Sequence, residues 1–430
     1  MSINFRKKNI IFYFDGLRSQ VMFLVAQELQ LLGHNIKFCT TDLNWAKELD
    51  VQIENINICL TNNRDISSDR DFIDTDIFVT DDFKIRYCPD GAIGICIPHS
   101  LVEKPEVFFP KFDNWQNFYL SADFVLLANR INMDEIDPAK FSNLFCQSYP
   151  KEFTQYRKPN LYVVPTGYAK LDLLKGSLAK RKEVKNALLF APTSKFLTHF
   201  TLEKTKNICL HLLRSFPDKE IIYRPFPSDN ERLDALNIIE ELSEYCNFTY
   251  DDSHSILDAQ LRTELMITDL SSGALSFSFS TFTPHIQLVE QSQMKTTEFL
   301  LEGDAWYELS RIEELKNVVS LCLDKSSYWK NKIARTQFKF LYHPEKSLEH
   351  LSKQIDLISQ GKIGKDWMKW SRDMEKVEIK SEDDFLQHVK NFPHLWNPWI
   401  IRGLVINYLR RKFPHSHESL INKINFLITS

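Results

Sequence analysis

The sequence predicts an α/β protein of two domains, each built on a parallel sheet. Three observations carry that reading. The chain opens strand, helix, strand; a second alternation of strands and helices begins at residue 187; and residues 171–186 between them are charged and lose the apolar pattern.

In the first domain, residues 1–170, the run Asn9-Ile-Ile-Phe-Tyr-Phe14 reads as a strand. Asp15-Gly16 turns it into a helix from about Arg18 to Leu32, Gly33 sits where a C-terminal cap belongs, and Asn35 to Cys39 starts the next strand. Further strands are expected at 51–60, 77–80, 93–97, 124–127 and 161–164. In the second domain, residues 187–345, strands are expected at 187–190, 220–223, 247–250, 265–268 and 285–289. Helices at 202–214, 230–245, 253–262 and after Ser271 separate them. The two domains are expected to face one cleft. Residues 346–430 read as a helical C-terminal extension, and Ile400 to Phe413, preceded by Trp396 and Trp399, fits either a packed helix or a segment lying on an anionic membrane surface.

The 430 residues suffice for two or three domains with real cores, and 43 % hydrophobic with 26 % charged is the balance of a globular chain. A net charge of −4 leaves no general nucleic-acid footprint. Neither G-x-G-x-x-G nor a Walker A loop occurs among the 11 glycines, which argues against a Rossmann dehydrogenase and a P-loop NTPase. The eight cysteines form no C-x-x-C pair and several lie inside apolar runs, as reduced core residues of a cytoplasmic protein do. Met1 to Lys8 is charged and leads into a short apolar run ended by Asp15, which reads as a first strand and not a signal peptide. No apolar run approaches the roughly 20 residues of a membrane span, so the expected location is the cytoplasm, with any membrane contact peripheral and on the inner face.

The chemistry concentrates at predicted strand exits, where open α/β sheets bind ligands. Glu264 to Phe279 reads strand, tight loop, helix N-terminus; the unpaired N–H groups of such a helix, with Ser271 and Ser272 beside Asp269, suit a phosphate. Plain N-capping by Asp269 or Ser271 explains the same residues. Arg224 ends the strand Glu220–Tyr223, stopped by Pro225 and Pro227, and its planar guanidinium matches a phosphate bidentately; a surface arginine is the alternative. Thr193, Ser194 and Lys195 follow strand 187–190 on the same expected edge, and Gly167 lies in the Pro-Thr-Gly turn that ends the first domain. In the first domain His99 follows a strand end and Lys104 the same loop; an imidazole there suits proton abstraction from a hydroxyl, against an ordinary structural role. His254 opens a predicted helix near the edge that carries Arg224 and ranks second. No histidine shows metal-ligand spacing, so no metal and no cofactor is expected.

Five motifs in this order, His99-Ser with Lys104, Thr166 to Asp172, Phe190-Ala-Pro-Thr-Ser194, Tyr223-Arg-Pro-Phe-Pro227 and Thr268-Asp-Leu-Ser-Ser272, resemble the CDP-glycerol glycerophosphotransferase family of teichoic-acid-type and capsule enzymes. The resemblance spans roughly Gly94 to Val289. It implies a GT-B-like fold of two Rossmann-like domains, with a CDP-linked donor on the C-terminal one and metal-independent transfer of a polyol phosphate to a hydroxyl. It further implies His99 as the base and Arg224, Asp269, Ser271 and Ser272 at the donor phosphates. The implied partners are a nucleotide-activated donor and a polysaccharide or lipid-linked acceptor. Ser100 stands where the family has Gly, and Phe226 where it has a second His.

A phenyl ring cannot donate to a phosphoryl oxygen. Two other functions therefore stay open: an inverting glycosyltransferase using a CMP- or UDP-sugar in capsule or lipopolysaccharide synthesis, and a catalytically inactive nucleotide-binding subunit.

Overall fold

Ile10, Ile11, Phe12 and Tyr13 are all buried in the computed structural model, and a strand apolar on both faces belongs in the interior of a parallel sheet covered on both sides. That strand, β1 (Asn9–Tyr13), is followed by α1 (Leu17–Leu31), β2 (Asn35–Thr40), β3 (Asn57–Leu60), β4 (Ile77–Thr80), β5 (Ile93–Cys96), β6 (Phe124–Leu127), β7 (Tyr149–Pro150) and β8 (Asn160–Pro165). Gly33 caps α1 at φ 95°, and His34 N donates back to Leu29 O at 3.3 Å, the left-handed cap that glycine makes without Cβ strain. The structure describes residues 7–14, 17–40, 57–60, 74–81, 85, 88–89, 91–98, 101, 122–130, 149–150, 160–180, 185–193, 200–226, 229–253, 256–269, 271–289, 306–309, 311–324, 326–371, 376–377, 381–391, 413, 415–417, 419–420 and 422–423.

The second half continues with α2 (Lys170–Lys180), β9 (Ala187–Phe190), α3 (Leu202–Ser215), β10 (Glu220–Tyr223), α4 (Asp229–Leu242), β11 (Phe248–Tyr250), α5 (Leu257–Arg262) and β12 (Thr263–Thr268). Then come α6 (Ser272–Thr281), β13 (His285–Leu288), β14 (Trp306–Leu309), α7 (Leu315–Asp324), α8 (Ser326–Phe340), α9 (Ser347–Ser359), β15 (Met368–Ser371), β16 (Lys376–Val377) and α10 (Glu382–Asn391). The chain divides into two compact units: Met1–His99, Phe109–Thr166 and Glu349–Ser430 form the first, Ser100–Phe108 and Gly167–Leu348 the second.

In the first unit the sheet order is β15-β8-β6-β5-β4-β1-β2-β3. Every pairing is parallel except β15 with β8. From β1 the chain first builds outward through β2 and β3, then returns to the other side of β1 through β4, so the order reverses between β1 and β4. In the second unit the order is β11-β10-β9-β12-β13-β14, parallel throughout, with the reversal between β9 and β12. A separate pair joins β7 to β16.

Two expected boundaries differ from the structure. The charged stretch predicted as a linker is largely the helix α2, in which Leu171 and Leu174, three residues apart, are buried while Asp172 and Lys175 are half-buried. Its Lys175 Nζ donates to Pro344 O at 3.0 Å. Residues from 349 on are no separate helical extension: they supply β15, an antiparallel edge strand for the first sheet. Trp367, just before β15, packs edge-on to Phe124 at 5.8 Å and donates Nε1 to Gln354 Oε1 at 2.9 Å. The buried His34 Nε2 lies 3.1 Å from Asp356 Oδ1, tying α9 to the first sheet. Sequence periodicity missed the Lys175–Pro344, Phe124–Trp367 and His34–Asp356 contacts because they join residues more than a hundred positions apart. The segment 396–413 considered for a membrane surface lies outside the described residues. Among the described residues no helix is long and apolar enough to cross a membrane.

Candidate functional site

The second unit gathers its chemistry at the carboxyl edge of its sheet. β9 delivers the chain to Ala191 and Thr193, and β12, on the other side of the order reversal, delivers it to the buried Asp269. Thr193 N donates to Asp269 Oδ1 at 2.8 Å, and Thr268 Oγ1 donates to Ala191 O at 2.7 Å, so two bonds hold the two strand exits together. A crevice at such a reversal is where open α/β sheets take ligands.

The turn from β12 into α6 completes the corner. Ser271 N donates to Asp269 O at 2.8 Å, Ser271 adopts an extended backbone as N-cap, and its Oγ accepts from Gly273 N at 3.2 Å. The capping expectation for Ser271 therefore holds, and Asp269 instead fastens the neighbouring loop. Capping by Oγ engages one of the first N–H groups of a ten-residue helix; the N-terminus keeps its partial positive charge beside the β9/β12 reversal. Ser272 opens α6.

Arg224 lies one strand further along the same edge, past β10, and it is buried at 5 % exposure. Its Nη1 donates to Asp251 Oδ2 at 2.8 Å and to Ser253 Oγ at 3.0 Å, and its Nη2 to Ser253 O at 2.8 Å. The register Tyr223 with Tyr250 sets Arg224 level with Asp251, so the guanidinium clamps the exit of β11 to that of β10. Asp251 Oδ1 also accepts from Ser253 N at 3.1 Å, a local turn that delays α5 to Leu257 where a helix from Ser253 was expected. Arg224 is thus not the surface arginine of the alternative reading; its guanidinium is buried and bonded to Asp251 and Ser253. Sequence reasoning missed Asp251 and Ser253 as its partners, because that pairing depends on which strands are neighbours. Phe226 follows on the same exit, 40 % exposed.

Gly167 has a packing role. A Cβ there would sit 2.4 Å from Ser347 Cα, and Asp172 Oδ2 accepts from Leu348 N at 2.7 Å at the start of α9. Burial raises the Asp172 carboxyl above its ordinary value, and the N–H groups of Leu348 and Ser347, with Lys175, oppose that rise. The structure does not bring Gly167 to the corner formed by Thr193, Asp269 and Ser271 through any described bond.

In the first unit the corresponding edge carries buried polar groups among the described residues. Thr80 Oγ1 donates to Tyr13 O at 2.7 Å across the β1/β4 reversal, and Ile97 N donates to Thr80 O at 2.8 Å. Asp81, Asn129 and Thr166 are buried at the exits of β4, β6 and β8. β5 leads to the buried Pro98. His99, Lys104, Ser194, Lys195 and His254 lie outside the described residues. Among the described residues no group of His, Cys, Asp and Glu side chains could hold a metal ion.

The sequence matches no family model, and no curated protein matches it. Solved structures do. The wall teichoic acid polymerase TagF superposes with a TM-score of 0.53 at 15 % identity, over 83 % of this chain and 90 % of that one. A TagF variant soaked with CDPG gives 0.54 at 14 %, over 84 % and 92 %. The S. aureus MnaA–UDP co-structure gives 0.56 at 13 %, over 82 % and 97 %. At these identities the likeness establishes the fold, a GT-B-like pair of Rossmann-like units, as the resemblance in the sequence implied.

Proposed function

We propose that this chain is a transferase that moves a polyol phosphate from a CDP-linked donor to a hydroxyl acceptor, in synthesis of a cell-surface polysaccharide or teichoic-acid-like polymer. One observation carries the reading: the α6 N-terminus, capped by Ser271, adjoins the Thr193–Asp269 bond at the order reversal of the second sheet. That is a seat for a diphosphate. The fold shared with TagF supports the same class of donor.

In this reading His99 takes the proton of the acceptor hydroxyl, whose oxygen bonds to the transferred phosphorus. The bond from that phosphorus to the CMP oxygen breaks, and CMP leaves with the electron pair. The α6 N–H groups and the Ser271–Ser272 corner stabilise charge on the departing phosphate, with Ser194, Lys195 and Lys104 as further ligands. Arg224 acts on the donor through the exits it clamps. The acceptor is polysaccharide or lipid-linked, met at the inner membrane face by a peripheral enzyme that needs no metal.

Phe226 favours a second reading. An exposed phenyl where the family has an imidazole suits a sugar donor, whose developing charge lies on the departing nucleotide. Purified protein incubated with CDP-glycerol, CDP-ribitol, CMP-sugars and UDP-sugars distinguishes the two by nucleotide release. CMP release from a CDP-polyol, lost in His99→Ala by about 10²–10⁴-fold, is expected. Release from a nucleotide sugar alone would overturn the first reading in favour of the second.

A further inference from the structure

The turn after β10 fixes one aromatic ring in the open. Arg224 is buried and bonded to Asp251 and Ser253, Pro225 is buried after it, and Phe226 emerges 40 % exposed. Two buried residues thus precede the phenyl. Of the eight large hydrophobic side chains exposed among the described residues, six lie on helices or directly after one and Ile363 lies between α9 and β15; Phe226 alone stands at a strand exit. Its strand is the neighbour of β9, and β9 borders the reversal.

Spacing matches a nucleotide. From β10 across β9 to β12 is two strand intervals, about 10 Å, between the column that ends in Phe226 and the column that leads to the α6 N-terminus. That is the reach from one end of a nucleotide-linked donor to its phosphates. Arg224, two residues before the phenyl, is already paired with Asp251 at 2.8 Å. Phe226 adds an apolar ring to this part of the edge.

We infer that Phe226 is a stacking platform for a ring of the nucleotide-linked donor, and so a specificity-determining residue. The inference rests on the donor site proposed above at the carboxyl edge of the second sheet. The ring is either the nucleobase, which offers a flat π face, or the sugar of a nucleotide sugar, which offers a face of C–H groups, and a phenyl does not donate to their phosphates.

Calorimetric affinities for CMP, UMP, CDP-glycerol and UDP-N-acetylglucosamine test it, measured on wild type, Phe226→Ala and Phe226→Trp after melting curves confirm folding. Phe226→Ala should weaken binding by between about five- and a hundredfold, the usual worth of a stacked ring, while Phe226→Trp retains it. Weakening that includes CMP or UMP assigns the base to the phenyl. Weakening confined to UDP-N-acetylglucosamine assigns the sugar. Nucleotide binding by wild type that Phe226→Ala leaves within twofold overturns the inference alone, and absence of binding to all four ligands overturns it together with the donor site.

Discussion

Thr193 N donates to Asp269 Oδ1 at 2.8 Å, joining the exits of β9 and β12 at the point where the strand order of the second sheet reverses. Asp269 is 4 % exposed, so its carboxylate is a fixed part of the corner. Removing it leaves the Thr193 N–H without this acceptor. Asp269→Ala should therefore cost about 1–3 kcal/mol in urea denaturation and weaken nucleotide binding, whereas Asp269→Asn, which keeps a carbonyl oxygen, should retain most of both. Equal losses in the two variants would show that the bond does not organise the corner.

Arg224 and Asp251 form a buried pair, with side-chain exposures of 6 % and 11 %. Breaking such a pair strands a charge. Arg224→Ala should destabilise by about 3–5 kcal/mol, and the double variant Arg224→Ala/Asp251→Ala should recover part of that loss. A double-mutant cycle reads the coupling directly; additive losses would mean that the two side chains do not depend on each other.

Two glycines should respond with opposite signs. At Gly167 a Cβ would meet Ser347 Cα at 2.4 Å, backbone that cannot swing aside, so Gly167→Ala should cost about 1–3 kcal/mol. Gly176 lies in α2 with nothing within 4 Å of its would-be Cβ, so Gly176→Ala should stabilise by about 0.5–1 kcal/mol. Thermal melts of the two variants check both.

His285 is fully buried, its Nδ1 2.8 Å from Ser278 Oγ, and desolvation pushes its pKa down to about 3 from 6.5. The unfolded chain protonates this imidazole near pH 6.5 while the folded one holds it neutral. Stability from this group is therefore complete above about pH 6.5 and declines as pH falls toward 3, with a slope approaching about 1.4 kcal/mol per pH unit. Urea denaturation of wild type and His285→Gln at pH 7, 6, 5 and 4 should show the variant flatter by that one proton; parallel curves would exclude His285 as the source.

Local pattern determined much of this protein. The apolar run Ile10 to Tyr13, the cap at Gly33, and the polar turns after residues 190, 223 and 268 are local in the chain, because period, capping and breaking depend on neighbours within a few positions. They sufficed for two α/β units and for the strand exits that carry Thr193, Arg224, Asp269 and Ser271. Tertiary structure decided which exits became neighbours. It paired Arg224 with Asp251, turned a charged stretch into the packed helix α2, and brought β15 back to the first sheet beside β8. Each of these depends on strand order and on contacts between residues far apart in sequence, where the free energy of burial and ion pairing selects among arrangements that the local pattern leaves equally open.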